Sequence, residues 1–404
     1  MSSLLNRGSA PSYVDEGPVR AVSQAANQAG GLDWSRTRFH DFSGDPTKLK
    51  GYLRPNDVLI NSTGTGTLGR IGYFSQSPDG IPCMADSHVT IARAKSDELD
   101  ARFSYYWLGS RPFQEYVYAA LVVGATNQIE LNRDRLGDAP VPLPPLKEQR
   151  RIADFLDAET QRIDALSKAY ERVKSLAMER SQTVIDNQID QDPASTPLRY
   201  IVRFREGPGI MALDFQEAGV PLIRISGLEE GEVTMRGCNF LDSEKVARQW
   251  NHFRLKLGDR LISGSATMGS VSIVRDPEVV GSIPYTGLII LRPARSDVEM
   301  EYVETFLKSS KFSRQIDALK TGAAMQHFGP THLSQVNASL PSVERQRRVV
   351  AEVGDALRFS EQITRLANRQ VALLAERRQA LIASAVTGQF DVSTASGRNV
   401  TDGV

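Results

Sequence analysis

Three glycines, Gly64, Gly66 and Gly69, stand in "NSTGTGTLGRIG" (61–72) at the GxGxxG spacing. Glycines so spaced cradle a pyrophosphate when they follow a buried strand and open a helix whose N-terminus faces the phosphates. The strand is plausible, since "DVLINS" (57–62) is apolar and β-branched. The helix is not. "RIGYFSQSPDG" brings β-formers, then Ser, Pro and Gly, which read as a second strand and a turn. The stretch is expected to be the tip of a hairpin, not a nucleotide site. A hydroxyl-rich tip suits another chemistry. Asn, Gln, Arg, Ser and Thr read base edges, and Lys, Arg and backbone N–H groups hold phosphates. Ser62, Thr63, Thr65, Thr67 and Arg70 are the candidates here. The alternative is a solvated turn in which small residues merely suit the geometry.

A second copy of the stretch bears on this. At an offset near 200 the chain repeats itself in order. "LRPNDVLI" (53–60) matches "LKLGDRLI" (255–262), "LGSRPF" (108–113) matches "LKSSKF" (307–312), and "LPPLKEQRRI" (143–152) matches "LPSVERQRRV" (340–349). Opposite the first tip stands "SGSATMGSVS" (263–272), without the middle glycine. A cradle needing all three glycines would not survive this, whereas a polar tip persists in Ser263, Ser265 and Thr267. A further pair, "GATNQ" (124–128) and "GAAMQ" (322–326), aligns Gln128 with Gln326. An amide can grip adenine bidentately. Asn127 and His327 lie beside these glutamines, and helix-terminal packing is the alternative reading.

The elements that must position these residues are legible from pattern. "PVRAV" (18–22), "HVTIARA" (88–94) and their counterparts "PLIRI" (221–225) and "GLIILRPA" (287–294) read as strands. Phe103, Tyr106, Trp107 and Phe113 fall at helical spacing and are expected in a core. Each copy is then an α+β module of roughly 140 residues. A long helix follows each copy. The first opens at Pro145, favourable at a helix start, with apolar residues at Ile152, Leu156, Ile163, Leu166, Tyr170, Val173 and Ala177. The second opens after the N-cap Ser342 and ends near Gly388, with a seam of Val349, Val353, Ala356, Ile363, Ala367, Leu374 and Leu381 that Ser360, Gln370 and Arg377 interrupt. Three-four alternation is a coiled-coil seam. The expected partner of each helix is the other, antiparallel, giving a pseudo-two-fold α+β chain with a module at either end. The expected parts are 1–144 and 191–341 as modules, 145–190 and 342–391 as helices, and 392–404 as a tail. The first module has no counterpart of the apolar "RYIV" (199–202), so either its start lies upstream or it lacks an edge element.

Composition narrows the classes. With 41% apolar and 24% charged residues and a formal net charge of zero, no global field points to nucleic acid or membrane. A local basic surface remains compatible with neutrality. The two cysteines, Cys83 and Cys238, form no CxxC and have no histidine at ligand spacing, so no metal or cofactor is expected, and reduced thiols suit a cytoplasmic protein. The longest apolar run, "YVYAALVVGA" (117–126), is too short to span a bilayer.

The tandem layout, the "LPPLKEQRRIADFLD" helix start and the "AVTGQFDV" ending (385–392) resemble the specificity subunit of type I restriction-modification systems. The resemblance covers nearly the whole chain. It implies two target recognition domains, each followed by a spacer helix, with the paired helices acting as a ruler. It also implies no catalysis by this subunit. The implied partners are double-stranded DNA, two copies of an adenine-N6 methyltransferase subunit, and restriction subunits in the full complex. The basic runs Lys147, Arg150, Arg151 and Arg345, Arg347, Arg348 are candidates for phosphate or methyltransferase contact, or for a solvated face. Two rival readings are a coiled-coil scaffold with protein-binding heads, and a methyltransferase. The second needs an Asn/Asp-Pro-Pro-aromatic loop for the flipped base, whereas the only Pro-Pro, Pro144-Pro145, lies between two leucines.

Overall fold

The computed structural model describes residues 2–28, 31–64, 66–124, 129–192, 196–229, 231–264, 271–319 and 327–394. The chain divides into two compact units, Met1–Tyr170 with Asn368–Val404, and Glu171–Ala367. The divisions fall inside the long helices, not at their ends.

In the first unit, β1 (Ser2–Arg7), β2 (Tyr13–Val14), β3 (Val19–Val22), β4 (Arg38–His40), β5 (Asp57–Asn61), β6 (Ile71–Phe74), β7 (Cys83–Ala85) and β8 (Val89–Ala94) build two sheets. One has the order β1-β8-β5-β6 and is antiparallel throughout. The other has the order β2-β4-β3-β7, with β3 and β7 parallel. Every residue of β5 is buried, and the strand's pleat explains why. Val58 and Ile60 point into a core with Phe103, Phe113 and Leu156, while Leu59 points into another with Val22, Phe74 and Ile91. The first core is roofed by α1 (Ala101–Gly109) and α2 (Arg111–Tyr116). The aromatic stripe is core as expected: Phe103, Tyr106, Trp107 and Phe113 are all buried.

The second unit repeats this plan with β9 (Val202–Glu206), β10 (Phe215–Gln216), β11 (Val220–Ile223), β12 (Asn239–Leu241), β13 (Arg260–Ser263), β14 (Val271–Ile273), β15 (Ile283–Pro284) and β16 (Leu288–Pro293). The order β9-β16-β13-β14 mirrors β1-β8-β5-β6, in a sheet that two further short strands extend to six, and β10-β12-β11-β15 mirrors the sheet β2-β4-β3-β7. Leu261 and Ile262 of β13 again face different cores. The edge strand β9 pairs with β16 as β1 pairs with β8. The first module therefore has an edge element, contrary to one sequence expectation. "SSLLNR" and "VRFRE" share almost no residue types, because an edge strand is placed by backbone pairing to its neighbour and its side chains are free to differ.

The long helices are α3 (Leu146–Asp190) and α6 (Val343–Val386). In the second unit, α4 (Met300–Leu307) and α5 (Ser310–Leu319) take the places of α1 and α2. At the start of α6, Arg345 N donates to Ser342 Oγ at 3.3 Å, the expected N-cap bond. Past its end Gly388 adopts φ +75° and Phe390 N donates to Ser384 O at 3.1 Å, a left-handed stop that suits glycine. Within each unit the two helices run antiparallel. In the first, Ile152 and Leu156 share a core with Ile382, Ala385 and Val386, and Asp164 pairs with Arg378. In the second, Ile185 and Ile189 share a core with Val349 and Val353, and Gln188 Nε2 donates to Glu352.

The seam differs from the expected one in detail. Leu166 is 47% exposed and Val173 44%. On α3 in the second unit the buried stripe is Ala177, Ser181, Ile185 and Ile189, a spacing of four that follows one ridge of the helix instead of a heptad. On α6, Ser360 is buried and belongs to the stripe that it was expected to break. A serine hydroxyl can satisfy itself on its own helix backbone, so polarity alone does not exclude it from such a position.

Candidate nucleic-acid interface

The first tip is the loop between β5 and β6, and left-handed backbone shapes it. Gly64, Gly66 and Gly69 have φ of +93°, +84° and +79°. Gly69 N donates to Asn61 O at 2.8 Å and Leu68 N to Gly64 O at 3.0 Å, which closes the turn as a hairpin. No helix follows, so the glycines serve the bend and not a phosphate cradle.

The candidate side chains occupy different levels of this tip. Ser62 is fully buried, and its Oγ lies 2.5 Å from Thr90 Oγ1. It braces the loop from below and presents nothing outward. Thr63 is higher, with Oγ1 2.8 Å from His88 Nδ1 and 3.3 Å from Gln24 Oε1. Thr67 Oγ1 donates to Thr63 O at 3.1 Å. Arg70 Nη1 donates to Gln28 Oε1 at 2.9 Å and to Asn27 O at 3.3 Å. Both acceptors are neutral, so among the described residues no carboxylate answers this guanidinium. Arg93 is the contrast: its fork grips the fully buried Asp57 at 2.6 and 2.7 Å. Thr65, Asn127, Gln128, Ser265, Thr267 and Gln326 lie outside the described residues.

Gln24, Gln28 and exposed His88 were not singled out from sequence. They arrive from the turn after β3 and the turn before β8, which only the sheet order brings to the tip. Asn27, fully buried, ties that first turn down by donating from Nδ2 to Asn61 Oδ1 at 3.0 Å and Arg70 O at 3.2 Å. Gly72 has to be glycine here, since a Cβ would collide with Asn27 Oδ1. In the turn before β8, burial raises the Asp86 carboxyl above its ordinary range, although Asp86 Oδ1 accepts from His88 N at 2.8 Å. From behind, Gln114 of α2 donates to Gly69 O at 2.9 Å, and Tyr118 OH to Leu68 O at 3.2 Å.

In the second unit Ser263 is fully buried at the end of β13. Gly264 takes the place of Ser62: its N–H donates to Gly287 O at 2.9 Å and its carbonyl accepts from Phe328 N at 3.0 Å. A Cβ at Gly264 would strike the Phe328 carbonyl. His327 precedes that buried phenylalanine and is exposed. The buried pair recurs as well, with Arg292 Nε and Nη2 on Asp259 at 2.7 and 2.6 Å.

Where each long helix leaves its module, a fully buried glutamine makes three bonds. Gln149 Oε1 accepts from Asp100 N at 2.8 Å, and Nε2 donates to Glu98 O at 3.1 Å and Pro144 O at 2.9 Å. Gln346 makes the same set with Glu299 N at 2.8 Å and with Asp297 O and Pro341 O, both at 2.9 Å. The basic runs divide around these glutamines. Arg150 approaches Asp100 at 3.9 Å and Arg347 bonds Glu299 at 2.8 Å. Arg151 pairs with Glu148, and Arg345 turns back onto Gln188 O and Gln191 at the end of α3. Lys147 and Arg348 are exposed.

The profile of the type I restriction modification DNA specificity domain matches residues 30–175, which include the first tip and the first glutamine. The specificity subunit of the type I restriction enzyme EcoBI of Escherichia coli is 22% identical, over 92% of this chain and 85% of its own. The chain is similar to members of the type I specificity-subunit family, with the domain match confined to residues 30–175. Members of that family are the non-catalytic subunits of their complexes. Two solved structures share the fold. One, from a study of complex assembly and conformational transition in the type I restriction-modification system, has a TM-score of 0.73 at 18% identity and 92% coverage of both chains. The other, the HsdS subunit of Thermoanaerobacter tengcongensis, has a TM-score of 0.55 at 19% identity, covering 92% of this chain and 90% of that one. No cluster of potential metal ligands occurs among the described residues. No described helix is long and apolar enough to cross a membrane.

Proposed function

We propose that this chain is a specificity subunit that reads a bipartite double-stranded DNA target, one half-site per module, and positions two methyltransferase subunits on it, with restriction subunits joining in the full complex. The observation that carries the reading is the Arg70 guanidinium, held at a hydroxyl-lined hairpin tip with only neutral acceptors among the described residues. A charge so held is available to a phosphate. Thr63, Thr67, Gln24, Gln28 and His88 supply donors and acceptors beside it. Ser62 and Ser263 support their tips from within. Thr65, Asn127, Gln128, Ser265, Thr267, Gln326 and His327 remain candidate contacts from the sequence. The modules are taken as 1–144 and 191–341, with 145–190 and 342–391 as the helices and 392–404 as a tail.

The test replaces residues 198–341 with the corresponding module of another specificity subunit and sequences the methylome of cells carrying the complex. One half-site changes and the other stays. If both changed together, the modules would not be independent readers. If no methylation depended on this chain, the assignment to DNA reading would be lost.

A further inference from the structure

We propose that Gln149 and Gln346 are positioning residues for target reading. Each locks its module to the first turn of its own long helix, and so limits the spacing at which two half-sites are accepted together. The proposal rests on the bipartite reading above.

Three observations carry it. The first is duplication. The two glutamines sit in the repeated motif that opens each long helix, and each makes the same three bonds, two of them to a module whose sequence has otherwise diverged, with corresponding lengths agreeing to 0.2 Å: 2.8, 3.1 and 2.9 Å against 2.8, 2.9 and 2.9 Å. A primary amide supplies two donors and an acceptor, and here both donors meet carbonyls while the oxygen meets an N–H. Leucine or methionine would fill the space without holding any of the three.

The second observation is the arginine after each glutamine. Asp100 gives its N–H to Gln149 and its carboxylate faces Arg150; Glu299 gives its N–H to Gln346 and its carboxylate bonds Arg347. The residue that starts the module helix is thus held at backbone and side chain by consecutive residues of the long helix.

The third is where the lock leads. Asp100 Oδ1 caps α1, accepting from Arg102 N at 3.0 Å and Phe103 N at 3.1 Å. Gln114 of α2 bonds both Leu108 O at 2.7 Å, in α1, and Gly69 O at 2.9 Å, in the tip. A chain of directional bonds therefore runs from the first turn of α3 to the loop proposed to meet DNA. Burial alone could keep a module attached, but apolar contact is non-directional and tolerates rotation. Hydrogen bonds of fixed geometry do not.

The experiment uses the full complex in cells and reads the methylome. Gln149→Met and Gln346→Met remove all three bonds of one lock. Gln149→Glu and Gln346→Glu keep the acceptor and lose both donors. Met84→Ala, a core cavity in the first module away from the helices, is the control for lost stability. The expected result is unchanged half-sites with methylation at gaps one base pair longer or shorter, raised about tenfold over wild type in the Met variants and less in the Glu variants. The control should lower methylation at every site without changing the gap. A single gap retained in all four variants would overturn the proposal. So would uniform loss matching the control, or failure of both variants of either glutamine to accumulate, since each marks a residue that only holds the fold. A contiguous wild-type motif would instead overturn the bipartite reading, and this proposal with it.

Discussion

Arg70→Gln removes a positive charge that no described carboxylate neutralises, and it keeps an amide able to bond Gln28. The size of the effect follows from counterion release. One phosphate contact on B-DNA contributes about 0.9 to the slope of log K against log salt. Between a 1 M reference and 0.1 M salt that slope is worth about eightfold in affinity. Titrating the purified complex against a duplex carrying its methylated target, across a salt series, should show the slope shallower by about 0.9. At 0.1 M salt, binding should be about eightfold weaker, and equally so on targets altered in either half-site. Arg93→Gln would not mimic this, because that guanidinium is already matched by Asp57. An unchanged slope with the variant folded would refute the idea that Arg70 meets a phosphate. Weakening confined to targets altered at one base would reassign it to base reading.

Two other outcomes concern stability. Arg93→Met leaves the Asp57 carboxylate fully buried with only the Arg54 N–H, at 2.7 Å, among its described partners. Breaking a buried pair costs about 3–5 kcal/mol, so the urea midpoint should fall, and Asp57→Asn added to Arg93→Met should recover part of the loss. Asp86 behaves in the opposite sense. Its carboxyl is raised by burial, so its contribution is most favourable below the unfolded-state value of about 3.9 and is lost as pH rises through the higher folded-state value. Asp86→Asn keeps an oxygen for the His88 N–H and should be more stable than wild type at pH 7, by an amount that shrinks as pH falls toward 4. A variant less stable than wild type at pH 7 would show that the charge on that bond outweighs its burial.

How much of this was legible depended on whether a residue's role was local. Periodicity located both long helices, and Ser342 and Gly388 announced their roles by position. The hairpin was legible because Ser, Pro and Gly after "RIGYF" exclude a helix. The seam was only half legible. Heptad spacing assumes that the other helix is the sole neighbour, whereas Ile152 and Leu156 also face the module core, and Ser360 is buried in spite of its hydroxyl. Gln24, Gln28 and His88 could not be found from spacing, since the two glutamines lie far before Thr63 in the chain and His88 reaches it only through the antiparallel pairing of β8 with β5. Gln149 and Gln346 lie within a repeated motif beside arginines of equal polarity, and only burial separates a glutamine on a wet face from one holding three backbone groups.

The first unit draws its core from distant parts of the polypeptide: Ile382, Ala385, Val386 and Val392 pack with Val58, Phe103 and Leu156. During synthesis the ribosome delivers residues 171–367 before these last four arrive. The second unit can then consolidate while the first still exposes an apolar face. The module translated first is finished last, so a premature stop after residue 367 should damage the N-terminal module more than the other, and chaperone demand should concentrate on that waiting surface.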